Sequence, residues 1–212
     1  MSRGWPKLDW ASLVDHEPRR LAPGSWFKPR VGLAVLGGRR IVVKDYRGTW
    51  LWVRRTIGRW AVHHEARVLH ALETVQGVPR LLGVMDGDGL ALEWIEGERL
   101  ELALAPRLPE AFFDELEAVL MDVHAEGWAH GDLSNRRNVV LGSDGRAWIV
   151  DFGAALPMGR GPRLRRWRCA LQQIDRWGLL KNKERYRPEQ VTPEERRDLA
   201  RRASWRRWWI FG

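Results

Sequence analysis

Three oxygen-bearing side chains crowd the stretch HGDLSNRRNVVLGSDGRAWIVDFG, residues 130–153: Asp132, Asn138 and Asp151. Carboxylate and amide oxygens are hard ligands, the kind that magnesium accepts while keeping several of its waters. All three are candidate metal ligands, and a carboxylate not bound to metal can take a proton from a reacting group. The segments NVVL and AWIVD read as strands joined by the turn GSDGR. Asn138 and Asp151 are therefore expected at the two ends of one hairpin.

Two further residues stand out upstream. In VGLAVLGGRRIVVKDY (31–46), two short strands flank Gly37 and Gly38, and alternation puts Lys44 on the same face as Val42. A lysine ending so apolar a strand either marks its edge or points into a site. RWAVHHEARVLHALETV (59–75) has helical spacing, with Ala61, Val68, Leu69 and Leu72 as a stripe and Glu65 inside it. An inward carboxylate is destabilising unless a cation or donors meet it, and Lys44 is the obvious partner. The alternative is a Glu65 solvated at the margin of the stripe.

The elements that must position these groups follow in order. PRLLGVMDGDGLALEWIEGE (79–98) reads as a hairpin turning at Asp86-Gly87-Asp88-Gly89, with IEGE breaking the strand into a linker. PEAFFDELEAVLMDVHAEG (109–127) is an amphipathic helix with Phe113, Leu116, Leu120 and Val123 along one side. After the DFG tripeptide, LRRWRCALQQIDRWGLL (164–180) carries Leu164, Trp167, Leu171 and Ile174 at helical spacing, with Asp175 beside them. No histidine has metal-ligand spacing, and HEA at 64–66 is not HExxH, which excludes a zinc protease.

The order of VVK lysine, in-helix glutamate, LEWIEGE linker, HGDLSNRRN loop and DFG resembles the protein-kinase-like fold over roughly residues 25–155. HGDLS and the small size are similar to RIO-type kinases and to bacterial kinases of lipopolysaccharide core sugars. The resemblance implies an α+β fold of two lobes. An antiparallel-sheet N-lobe spans 1–95, and a reduced, mainly helical C-lobe spans 96–212. It implies an ATP- and magnesium-dependent phosphotransferase whose acceptor hydroxyl is on a lipopolysaccharide-type sugar or a protein Ser/Thr.

By the same resemblance, Asp132 would orient the acceptor hydroxyl and take its proton. Asp151 and Asn138 would bind the metal. Lys44, held by Glu65, would reach the α- and β-phosphates, and backbone groups of Glu93 and Ile95 would face the adenine, with Leu92 behind. His130 would brace the loop, and Asp175 would bond its backbone or lie at the surface.

The chain departs from the family pattern in three ways. Asn138 lies six residues after Asp132 where five is usual, although its 13-residue step to Asp151 is kept; Asn135 competes for the role. No GxGxxG occurs, which leaves backbone amides and Ser25, Lys28 or Arg30 to cover phosphates. Gly131 replaces the arginine that would read a phosphorylated activation loop, and no APE follows DFG. These departures motivate the alternative of a nucleotide-binding pseudokinase that acts as a scaffold at membrane or ribosome.

Composition supplies the remaining limits. The 212 residues are 44% hydrophobic, enough for a globular core, and the single cysteine, Cys169, fits a reducing cytoplasm. No secretory signal and no apolar run of about 20 residues is visible, so a cytoplasmic protein is expected, peripheral at most to the inner face of a membrane. The net charge is +9, but residues 154–212 hold 16 Lys/Arg against 6 Asp/Glu, a net of +10, against −1 for residues 1–153. The end, ARRASWRRWWIFG, interleaves Trp205, Trp208, Trp209, Ile210 and Phe211 with four arginines. Such a tail suits an anionic membrane, docking on its own domain, or nucleic acid.

Overall fold

The computed structural model describes residues 5–22, 24–25, 28–159 and 161–210, with the backbone alone for 14–22 and 202–210. The fold is mixed α+β. The chain divides into two compact units, Met1–Thr74 with Val78–Ile95, and Val75–Gly77 with Glu96–Gly212.

The first unit is built on a six-stranded sheet of order β1-β5-β6-β4-β3-β2. Its strands are β1 (Lys7–Leu8), β2 (Val14–Ala22), β3 (Arg30–Leu36), β4 (Arg39–Asp45), β5 (Leu81–Met85) and β6 (Gly89–Glu93). Only the short β1 pairs in parallel, with β5; every other pairing is antiparallel. Two hairpins set the register, and both turn through residues of positive φ: Gly37 (55°) and Gly38 (78°), then Asp86 (46°) and Gly87 (75°). That backbone twist matches the right-handed twist of the strands.

One face of the sheet carries Ala34, Ile41, Val43, Met85 and Ala91, packed with Leu13. Because β4 alternates, Val42 and Lys44 take the opposite face. A continuous helical run comprises α1 (Leu51–Val53), a π-turn over Arg54–Gly58, and α2 (Arg59–Ala71), which packs on β5 and β6. The helix thus begins eight residues before its expected start. Its buried stripe is Val62, Glu65, Ala66, Val68, Leu69 and Leu72; Ala61 lies at the margin.

In the second unit, β7 (Gly97–Arg99), β9 (Val139–Gly142) and β10 (Ala147–Ile149) form a sheet of order β10-β9-β7, and β8 (Trp128–Ala129) pairs with β11 (Leu156–Pro157). The segment expected as linker therefore supplies a strand at Gly97–Arg99, whose side chains are all exposed and give hydrophobic periodicity nothing to detect. Helix α3 (Phe112–Ala125) has Asp114 and Glu115 in its first turn and His124 in its last, which complements the helix dipole. It buries Phe112, Phe113, Leu116, Leu120 and Val123 against β8, β10 and α4 (Arg165–Tyr186).

The buried residues of α4 are Leu171, Asp175, Gly178, Leu179, Leu180, Asn182, Lys183 and Tyr186. Leu164, Trp167 and Ile174, expected on its inner stripe, are exposed at 43%, 48% and 43%. Helix α5 (Pro193–Ile210) follows, tied to α4 by a Lys183–Glu195 ion pair of 3.1 Å. The side chains of Arg202, Trp205, Arg206, Arg207, Trp208, Trp209 and Ile210, and the whole of Phe211, lie outside the described residues.

Phe112 is fully buried and meets Phe113 edge-on at 5.4 Å. Phe112→Ala is expected to destabilise the second unit by about 3–5 kcal/mol, read as a lower urea midpoint.

Candidate active site

In the first unit, Lys44 is placed by strand register, opposite Val31 on β3 and Leu90 on β6. Its Nζ donates to both carboxylate oxygens of Glu65, at 2.7 and 2.9 Å. Both residues are buried, Lys44 at 8% exposure and Glu65 at 2%. The sheet face and helix stripe that each lack an apolar residue are thereby matched to each other. A buried pair of this kind adds little net stability over an apolar pair, but loss of either partner leaves an uncompensated charge inside.

Glu93 closes β6, and its N–H donates to the Arg80 carbonyl at 3.0 Å while its carboxylate bridges the Arg80 guanidinium. Any contact between Glu93 backbone and a base would therefore have to use its carbonyl. Ile95, half-buried, ends this unit.

In the second unit the loop 130–138 hangs on Asp175, which α4 buries to 1% exposure. Asp175 Oδ2 accepts from the His130 N–H (2.7 Å) and Oδ1 from the Gly131 N–H (2.8 Å). His124 Nε2 meets Oδ2 at 3.0 Å. One turn further along α4, a Cβ on Gly178 would sit 2.7 Å from the Ser134 nitrogen, so only glycine lets helix and loop backbones come this close. Another turn on, Asn182 donates to the Leu133 carbonyl at 2.9 Å. Asp175, Gly178 and Asn182 thus form one i, i+3, i+7 edge that meets two parts of the loop, 130–131 and 133–134.

His130 is held at both ring nitrogens. Nε2 lies 3.2 Å from the Val150 carbonyl, which can only accept, so Nε2 carries the proton; Nδ1 then accepts from the Asp132 N–H at 3.2 Å. Burial pushes its pKa below the ordinary histidine value, outweighing the Val150 carbonyl and the carboxylates of Asp175, Asp151 and Asp132. Its ring also packs edge-on against the fully buried Phe152 at 4.9 Å. These contacts brace the loop. Gly131, at φ 80°, has the Ala154 carbonyl 2.6 Å from where a Cβ would stand, which explains why no side chain occupies that position.

Asp132 and Asn138 are brought together. Asn138 is buried, and its Nδ2 donates to the Asp132 carbonyl (3.0 Å) and to Asp132 Oδ2 (3.1 Å). The loop closes in a single 3-10 turn over Arg136–Asn138, capped by the Asn135 side chain accepting from Arg137 N–H at 3.2 Å. Asn135 Nδ2 reaches Asp132 Oδ2 as well, at 3.3 Å, but its residue is exposed.

Backbone pairing joins the two ends of the hairpin, Val150 N–H donating to the Asn138 carbonyl at 2.9 Å. Asp151 follows at once in the left-handed region (φ 68°, ψ 72°) and is exposed, while Phe152 is buried. A non-glycine residue held there is strained, a feature that collects at functional sites.

Both amide hydrogens of Asn138 are engaged by Asp132, so Oδ1 is the atom left for a cation. Together with an exposed carboxylate this is a hard donor set that fits magnesium. No group of three or more His, Cys, Asp or Glu among the described residues is arranged to hold a metal by itself. Lys44, Glu65, Glu93 and Ile95 belong to the first unit, and Asp132, Asn138 and Asp151 to the second. No protein-family model and no curated protein matches the chain. Sequence reasoning missed His124, Gly178 and Asn182; for Gly178 and Asn182 the signal was the helical spacing from Asp175, hidden because neither is apolar, while His124 stands on α3 and carried no such signal.

The depressed His130 pKa has a sign that can be checked. Below about pH 6.5 the unfolded chain binds this proton and the folded chain does not, so the stabilisation is present above that pH and is lost as pH falls through the lower folded value. The gap in urea midpoint between wild type and His130→Gln is expected to narrow between about pH 7.5 and about pH 5. A constant gap would assign the histidine no proton-linked role.

Proposed function

We propose that the chain is an ATP- and magnesium-dependent kinase of two-lobed, protein-kinase-like architecture. It would transfer the γ-phosphate to a hydroxyl of a lipopolysaccharide-type sugar or of a protein Ser/Thr. The observation that carries this reading is the buried two-point bond between Lys44 and Glu65. A buried ammonium with its carboxylate is weakly justified by stability alone, but it is what a cationic phosphate clamp requires. The Asp132–Asn138 pair and the strained, exposed Asp151 support the reading from the second unit.

In the proposed reaction the acceptor oxygen attacks the γ-phosphorus. The bond from that phosphorus to the β–γ bridging oxygen breaks, ADP leaves, and the acceptor proton passes to Asp132. Asn138 fixes Asp132 through Oδ2, which keeps Oδ1 for the acceptor hydroxyl. Asn138 Oδ1 and the Asp151 carboxylate would hold magnesium, which supplies charge compensation on the phosphates. Lys44 would contact the α- and β-phosphates, oriented by Glu65, and the Glu93 carbonyl and Ile95 backbone would receive the adenine. Phosphorylation of an activation loop is not expected to control such an enzyme, since Gly131 leaves no cation to read it.

The test is transfer from γ-labelled ATP to a membrane glycolipid fraction and, separately, to soluble proteins. Asp132→Ala and Asp151→Ala are each expected to reduce labelling by about 100-fold or more, and Lys44→Met to weaken ATP binding. Undiminished transfer in either aspartate variant would remove the mechanism. Which fraction becomes labelled identifies the acceptor class.

A further inference from the structure

The helical run that leads to Glu65 begins with residues the phosphoryl-transfer reading does not use. Trp50, Leu51, Trp52, Ile57 and Trp60 are exposed at 49%, 60%, 54%, 50% and 63%. Large apolar side chains gathered this densely on a surface mark an interaction site. From Tyr46 to His64 the sequence contains Arg47, Arg54, Arg55 and Arg59 and no carboxylate. The adjoining β5–β6 turn contributes Asp86 and Asp88.

Two of the arginines serve the fold. Arg47 bonds Asp45, and Arg54 bonds Asp88, with Nε to Oδ2 at 2.8 Å. Arg55 and Arg59 are exposed and make no ion pair among the described residues.

This surface is anchored rather than fraying. Val53 is fully buried, the Arg54–Asp88 pair ties the run to the sheet, and Gly58 lies against the Tyr46 ring. The burial spacing from Val53 to Gly58 is five residues, one more than an α-helical repeat, and the π-turn over Arg54–Gly58 is what produces it. The inserted residue leaves Arg55, Thr56 and Ile57 all outward within one turn. π-turns of this kind are frequent at functional sites.

We infer that Trp50–Trp60 is a seat for the surface of an anionic phospholipid bilayer. Charge complementarity selects this occupant: Arg55 and Arg59, exposed and without an ion pair among the described residues, would meet phosphate headgroups, Arg59 from beside Gly87 of the β5–β6 turn. Indole rings favour the headgroup level, and Leu51 and Ile57 add apolar area below it. The helix lies on the membrane without crossing it; no helix among the described residues is long and apolar enough to span one. The seat is distinct from the C-terminal tail and does not depend on the kinase reading.

The experiment is co-flotation of the full-length chain with vesicles of phosphatidylcholine alone, or mixed with phosphatidylglycerol in equal parts. Four proteins are compared: wild type, Arg55→Glu/Arg59→Glu, Trp52→Ser/Trp60→Ser, and the tail variant Trp205→Ser/Trp208→Ser/Trp209→Ser. Wild type is expected to float with the anionic vesicles only. The arginine reversal should lower the partition coefficient about tenfold or more, and the tryptophan variant should lower it too, with thermal midpoints unchanged. The reversed arginines are exposed, so that variant decides the matter even if the tryptophan variant unfolds.

The proposal is overturned by any of four results. Wild type fails to float; both helix variants float as wild type does; only the tail variant loses binding; or the helix residues instead govern dimerisation, or binding of single-stranded RNA, in protein that ignores vesicles.

Discussion

A buried aspartate organises the second unit. Asp175 sits in the interior with two backbone N–H groups and a histidine on its oxygens. An unmet carboxylate there would be strongly destabilising, so the charge dictates that His130 and Gly131 present their amides to α4. Once that contact exists, the left-handed Gly131, the close approach at Gly178 and the Asn182 bond to Leu133 follow as geometric necessities. Asp132 and Asn138 then face one another because both ends of their loop are tied. The acids expected to do chemistry are exposed or half-exposed, and the groups that hold them are buried.

The first unit rests on the same physics in a different element pair. A lysine from a central strand and a glutamate from a helix neutralise one another inside, and the sheet register that puts Lys44 between Val31 and Leu90 also decides where α2 must lie. The Arg54–Asp88 pair fixes the start of the same helical run to the β5–β6 turn. Ion pairs are therefore used twice along one helix, once inside and once near the surface.

Between these two contacts the helix widens into a π-turn, and its outer side is apolar and cationic. Packing explains Val53 and Gly58, whereas Trp50, Trp52 and Trp60, the last stacked on His64, keep about half or more of their surface exposed. Residues placed against the ordinary preference for burial, on an anchored backbone, ask for an explanation outside the fold. The same chemistry, indoles among arginines, recurs at the C-terminal end of the sequence.

The hairpins, the amphipathic α3 and the Lys44–Glu65 pair were legible from local order alone. Gly-Gly and Asp-Gly turn only one way between strands, and a lone carboxylate in a helical stripe calls for a cation. Asp132, Asn138 and Asp151 could be picked out by type and spacing, and a hairpin between Asn138 and Asp151 was enough to bring the backbones at its two ends together.

Tertiary structure decided much of the inner face of α4, because part of that face meets a loop backbone rather than an apolar layer. Beside the expected Leu171 it includes Asp175, Gly178 and Asn182, which hydrophobic periodicity passes over in favour of Leu164, Trp167 and Ile174. It also decided that Gly97–Arg99 contributes a strand and that β2, VDHEPRRLA, pairs with β3, since edge strands need partners more than they need apolar residues. Sequence records which groups want company; only the folded chain determines which backbone atoms supply it.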